Sequence, residues 1–98
     1  MIRVQLPYHL RTLANITGEV QLPFDGTVTV RELIDALEAR YPMLTGTIRE
    51  HGTMKRRAYV RFFACGMDVS HESVTMELPE AIISGRDPFI ILGAISGG

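Results

Sequence analysis

The sequence predicts an α+β fold in which a mixed sheet of four to five strands packs on one main helix. Three observations carry that prediction. The chain starts with two short alternating segments, continues through a sharply bounded amphipathic helix, and closes on a run that is apolar at every position. Strands with one buried face alternate with period two, and a helix lying on a sheet carries one apolar stripe.

Ile2-Arg3-Val4-Gln5-Leu6 alternates apolar and polar residues and ends at Pro7, which reads as a strand with one buried face. A polar loop is expected next, with Asn15 and Gly18 as turn residues. Glu19-Val20-Gln21-Leu22 alternates again before Pro23 and the Asp25-Gly26 pair, so two antiparallel strands joined by a longer loop fit this region.

The helix follows. Val30, Leu33, Ile34, Leu37 and Tyr41 fall at i, i+3, i+4, i+7 and i+11 and form one stripe. Thr29 and Glu32 are spaced for a capping box, and Val28 is placed to staple onto Leu33. Pro42 stops the helix, because proline disfavours helix in the residue before it and has no amide hydrogen to give.

Leu44 to Glu50 is expected to make two helical turns broken at His51-Gly52-Thr53. Tyr59 to Ala64 is β-rich, Gly66 and Asp68 mark a turn, and Val69 to Met76 is expected to hold a short strand. Pro79 to Gly85 reads as a helical turn closed by glycine. Phe89-Ile90-Ile91-Leu92 reads as a strand buried on both faces in the middle of the sheet. Placing that strand beside the first, in parallel, requires the long connection the chain provides. The arrangement is the ubiquitin-like β-grasp. Residues 1–98 are expected to form a single domain with a flexible tail over 93–98.

Composition removes several function classes. The formal net charge of −1 lacks the basic excess of a nucleic-acid-binding domain, and Lys55-Arg56-Arg57 is expected to be a solvated loop. A single cysteine, Cys65, excludes an internal disulfide. No signal peptide is visible, and the longest apolar run, Phe89 to Ile95, is far short of a membrane span. A cytoplasmic location, with no membrane partner, is the expectation.

Conventional catalysis has little support. His9, His51 and His71 are scattered through loops, away from metal-ligand spacing, and are expected at the surface with no metal bound. No phosphate-cradling glycine motif is present, and no cofactor is expected on the chain itself. Cys65 precedes Gly66 in an expected hairpin turn, without an activating base or cation beside it in sequence, and is expected to be an incidental turn or edge residue.

The tail is different. Gly93-Ala94-Ile95-Ser96-Gly97-Gly98 is small and offers little to a core. A carboxylate delivered into another enzyme's active site needs a thin lead, and glycine has no side chain to clash there.

The chain resembles the MoaD/ThiS family of ubiquitin-like sulfur carriers. That family includes the small subunit of molybdopterin synthase, the thiamine-pathway carrier and the carrier of a thiocarboxylate-dependent cysteine pathway. The resemblance covers nearly the whole chain and is most specific from Asp87-Pro88 through Phe89 to Gly98. Ile2 to Arg11 and Leu37 to Pro42 look most like the cysteine-pathway branch. Two turns depart from the family pattern. Cys65-Gly66 stands where Asn-Gly is common, and Ser84-Gly85-Arg86-Asp87 where Asp-Gly-Asp is common.

The resemblance implies that Gly98 is adenylated by an ATP-using, E1-like partner, after which sulfur replaces AMP to give a C-terminal thiocarboxylate. It implies that Ile95, Ser96, Gly97 and Gly98 enter that partner's channel and that the chain contributes no catalytic side chain. A sulfur-accepting or synthase partner would follow, as would a role in molybdenum cofactor, thiamine or cysteine biosynthesis. Two alternatives stay open: a subunit of a molybdopterin-synthase-type complex, and a modifier conjugated to proteins through Gly98.

Overall fold

A computed structural model of the chain describes residues 1–93. Residues 94–98 lie outside the described residues, and with them most of the expected tail, including Ile95, Ser96, Gly97 and Gly98.

Five strands form one sheet: β1 (Ile2–Gln5), β2 (Val20–Leu22), β3 (Val60–Ala64), β4 (Met67–Asp68) and β5 (Phe89–Gly93). Their order is β2-β1-β5-β3-β4. β1 runs parallel to β5, with Val4 opposite Phe89, and antiparallel to β2. β3 runs antiparallel to β5, with Phe62 opposite Ile91 and Val60 opposite Gly93. The late apolar strand is therefore central and parallel to the first, as the sequence predicts.

The main helix, α2 (Val30–Arg40), starts where its signals say. Thr29 accepts from the Glu32 amide at 3.2 Å, and the Glu32 carboxylate accepts from the Thr29 amide at 2.9 Å, closing the capping box. Val30, Leu33, Ile34 and Leu37 are buried against the sheet. With Ile2, Val4, Phe62, Phe89 and Ile91 they form one core. The Phe62 and Phe89 rings tilt at 46° with centroids 5.5 Å apart, inside the favourable range for aromatic pairs.

Several expectations need correction. The loop expected after Pro7 contains a helix, α1 (Tyr8–Ala14), whose Leu10 and Ala14 are buried one turn apart. It has no side-chain cap, so its start signal is missing. Its end is written in Asn15, left-handed at φ 57°, with the Ile16 amide bonding the Arg11 carbonyl at 2.8 Å in the pattern of a helix terminator.

The two helical turns expected over Leu44–Glu50 are instead one 3-10 turn, Pro42–Leu44. A pinched loop follows it, closed by a bridge between Arg49 and Arg56. The strand expected over Val69–Met76 is absent; β4 lies just before it. That segment instead spends its carbonyls on α2, where Val74 accepts from the Arg31 amide at 2.9 Å and Met76 from the Val30 amide at 3.3 Å. Orphan amides of a helix's first turn must find partners, and this return path supplies two.

Lys55 is exposed, but Arg56 and Arg57 are half-buried. Arg56 donates to the carbonyls of Ser70, Arg57 and Val60, and Arg57 to that of Gly46. The basic cluster is thus partly a backbone clamp and only partly a solvated loop. The short helix α3 (Glu80–Ile83) is closed by Gly85 at φ +83°. A Cβ at Gly85 would stand 2.7 Å from the Met1 carbonyl oxygen, so glycine is required twice over.

The strand β5 is central but buried on one face only. Phe89 and Ile91 point to the core, Ile90 is half-buried, and Leu92 is 48% exposed. The reason is geometric. The helices cover a single face of the sheet, so alternate residues of every strand meet the other side.

Candidate functional site

The end of β5 organises the surface from which residues 94–98 continue. Gly93, expected as the first tail residue, is the last residue of the strand and pairs with Val60. Beside it stand Pro7 and His9. A Cβ at Gly93 would approach His9 Cε1 to 3.1 Å and Pro7 Cγ to 3.8 Å, so a larger residue there would press on the exposed His9 ring.

The open face carries an apolar stripe leading to that point. Cross-strand register sets Phe63 opposite Ile90 and Arg61 opposite Leu92, and residues opposite each other share a face. A groove of about 440 Å³ runs along this strand end, lined by Pro7, Tyr8, Arg11, Glu19, Ile90 and Leu92 among others. Tyr8 is 74% exposed, with the Arg11 guanidinium 5.8 Å from its ring centroid, within cation–π range.

Charge borders the stripe on both sides. On the β1 side, Glu19 accepts from Gln5 Nε2 at 2.8 Å and from Arg3 Nη1 at 3.1 Å. The Gln5 hydrogen bond, against some cost of burial and with help from Arg3, holds the Glu19 carboxyl below its ordinary range. Arg3 also donates to the Gly85 and Arg86 carbonyls, tying the turn before β5 to the sheet. On the β3 side, Arg61 Nη1 lies 3.0 Å from His71 Nε2. Asp68 sits opposite Phe63 and is held below its usual range by hydrogen bonds from Ser70, with Arg61 and His71 adding to the effect.

The expected site residues Ile95, Ser96, Gly97 and Gly98 lie outside the described residues. His9, His51 and His71 are all exposed. Among the described residues no three His, Cys, Asp or Glu side chains gather as a metal site, and no helix is long and apolar enough to cross a membrane. Cys65 is exposed in the two-residue turn joining β3 to β4, at φ 53° with Gly66 at φ 77°. That is the hairpin turn for which Asn-Gly is the usual solution. Because β3 and β5 are antiparallel and Val60 pairs with Gly93, Cys65 lies at the opposite end of the sheet from Gly93, about 17 Å away at the rise of a strand.

The sequence reading missed Leu92, Ile90, Tyr8 and Arg11 as surface. A signal was present: one main helix cannot cover both faces of a five-stranded sheet, so a wholly apolar central strand leaves apolar side chains open.

No family model matches the chain, and no curated protein does. Solved structures do. SAMP1 of Haloferax volcanii, the small archaeal modifier protein 1, superposes at TM-score 0.75 with 20% identity, over 98% of this chain and 97% of its own. A chain of the Amycolatopsis orientalis BexX/CysO complex matches at TM-score 0.75 and 24% identity, over 100% of both chains. CysO of Mycobacterium tuberculosis, described as an antigen, matches at TM-score 0.74 and 22% identity, over 97% of this chain and 100% of its own. Together with the sheet order and the capped helix, these likenesses establish that the chain has the ubiquitin-like β-grasp fold.

Proposed function

We propose that the chain is a sulfur carrier whose Gly98 carboxylate is activated and loaded by partner enzymes. The observation that carries this reading is the setting of β5. A central, hydrogen-bonded strand with Phe89 and Ile91 locked in the core runs directly into Ala94-Ile95-Ser96-Gly97-Gly98, beside an open apolar stripe. A rigid body with a side-chain-poor lead suits delivery of a carboxyl group into another protein's active site.

The chemistry needs nothing from this chain except the carboxylate. A carboxylate oxygen attacks the α-phosphorus of ATP and pyrophosphate leaves, giving an acyl adenylate. Hydrogen sulfide, as HS⁻ presented by a partner, then attacks the acyl carbon, AMP leaves with the bonding pair and the S–H proton passes to solvent, which yields the thiocarboxylate. Free carboxylates are poor acyl donors, so the adenylate is what makes the second step feasible. The partner supplies electrostatic stabilisation and positioning. Resemblance to the MoaD/ThiS carriers and likeness in fold to CysO support the reading.

A second reading, a modifier joined to lysines through Gly98, is favoured by the likeness to small archaeal modifier protein 1. Both readings share adenylation of Gly98 and separate afterwards, by whether sulfur or an amine takes the acyl group.

The docking part of the proposal is tested by Leu92→Lys in an ATP–pyrophosphate exchange assay with the adenylating partner. Placing a charge on the stripe is expected to raise the half-saturating carrier concentration about tenfold, as loss of an interface anchor does. The melting temperature is expected to hold, since Leu92 is outside the core. Unchanged half-saturation would remove the stripe from the docking surface.

A further inference from the structure

On the helix-covered side of the sheet, a second cleft of about 440 Å³ lies between the start of α2 and the loop 49–56. Val30, Ile34 and Phe62 give it apolar walls. Met54 and Val74, 46% and 36% exposed, complete the apolar lining. A volume of this size holds a small ligand, and small-ligand sites pair apolar walls with a few convergent polar groups.

The charged groups here are all of one sign, beside the hydroxyls of Thr53 and Ser70. Arg31, Arg49, Lys55 and Arg56 line the cleft and no acidic residue does, although the chain holds 11 acidic residues against 10 Lys and Arg. Arg49 is neutralised from behind by Glu38 and Asp35. Arg56 is pinned by the carbonyls of Ser70 and Val60, which fix its direction and leave its charge unmatched. Arg31 and Lys55 form no ion pair among the described residues. Three unneutralised cations thus border one apolar pocket.

The loop that forms one side is held in shape by its own backbone. The Glu50 amide bonds the Lys55 carbonyl at 2.7 Å and the Met54 amide bonds that of Glu50 at 3.0 Å. The turn places Met54 at φ +59°. A left-handed conformation is unfavourable for a residue with a side chain, so the backbone bonds of the loop are what hold it.

We propose that this cleft binds a small amphipathic anion: a carboxylate or phosphate ester on an apolar body of about one ring. The apolar body lies against Met54 and Val74 above a floor of Ile34 and Phe62, and the anionic head is met by Arg31, Lys55 and Arg56. The proposal does not rest on the carrier reading, and carrier activity is not its readout.

The test is a titration of the 15N-labelled full chain, followed by amide shifts, with 3-phenylpropionate, phenyl phosphate, inorganic phosphate and the neutral 3-phenylpropan-1-ol. The expected result is saturable shifts at Arg31, Ile34, Lys55 and Val74 for at least one aromatic anion. Which of the two binds tighter assigns the head group. The alcohol and inorganic phosphate are each expected to bind at least about tenfold more weakly. The double variant R31Q/K55Q is expected to loosen the anion about tenfold, with the rest of its spectrum unchanged. The proposal is overturned by absence of saturable shifts with both aromatic anions, or by equal binding of the alcohol or of inorganic phosphate. Shifts centred on Arg11 and Leu92, or full affinity in R31Q/K55Q, would also overturn it.

Discussion

Removal of Gly98 is expected to abolish adenylation by the activating partner and to leave the melting temperature where it was. The two halves of that result come from different parts of the molecule. The nucleophile that attacks ATP would be a carboxylate oxygen of Gly98, and in the truncated chain the carboxylate of Gly97 stops one residue short. A peptide spans about 3.3–3.6 Å per residue, whereas in-line attack needs the reacting atoms about 3–3.5 Å apart, so a shortfall of one residue takes the carboxyl out of reach. Stability is set elsewhere: the core among the described residues runs from Ile2 to Ile91. Pyrophosphate release with the truncated chain at the intact rate would sink the carrier reading. A large fall in melting temperature would show that the tail is part of the fold.

The largest stability effect is expected at the ion pair behind α2. Arg49 donates to both Glu38 carboxylate oxygens at 3.1 and 3.0 Å, and a second carboxylate, Asp35, accepts from the same guanidinium. The Arg49 and Glu38 side chains are each 9% exposed, while Asp35 is 55% exposed. Burial works against the Arg49 charge, but the hydrogen bonds and charges of Glu38 and Asp35 outweigh it and raise the guanidinium's pKa.

Glu38→Ala strands a buried cation with only the exposed Asp35 beside it. Breaking a buried pair from one side costs about 3–5 kcal/mol, and the remaining Asp35 places this case near the lower end. At about 4 °C per kcal/mol for a domain of this size, the melting temperature should fall by about 12 °C. The paired replacement Glu38→Leu with Arg49→Met should recover most of that loss, because two apolar side chains leave no unmatched charge. A fall of less than about 4 °C in Glu38→Ala would mean the pair is solvated in solution.

Why some of this was legible and some was not is visible residue by residue. α2 carried redundant signals, a capping box at Thr29 and Glu32, a stripe from Val30 to Leu37 and Pro42 as a stop, and local and tertiary preferences agree there. Glu38 was the exception inside it. It stands four residues after Ile34, on the buried stripe, and an acidic residue at such a position calls for a buried cation. That cation, Arg49, comes from a stretch whose helical reading the structure overturns. α1 escaped notice because its seven residues show only Leu10 and Ala14 as a buried pair and Pro7 offers no cap; short helices depend on tertiary packing rather than on propensity. Val69–Met76 looked weakly strand-like, but its carbonyls are drawn to the amides at the start of α2, an interaction that depends on contacts distant in sequence.

The candidate site divides in the same way. Composition at 93–98 pointed to the tail, whereas the stripe of Phe63, Ile90 and Leu92 beside it became visible only with the sheet assembled. An apolar run does not report which of its residues a single helix will cover.

The most direct measurement is the intact mass of the protein after incubation with the adenylating partner, ATP and a sulfur donor, with fragmentation to locate any change. The account predicts a population in which one carboxyl oxygen has been exchanged for sulfur, with the mass difference confined to the fragment carrying Gly98. It is contradicted if, after incubation with the adenylating partner, ATP and a sulfur donor, the Gly98 carboxyl keeps both oxygens in every molecule.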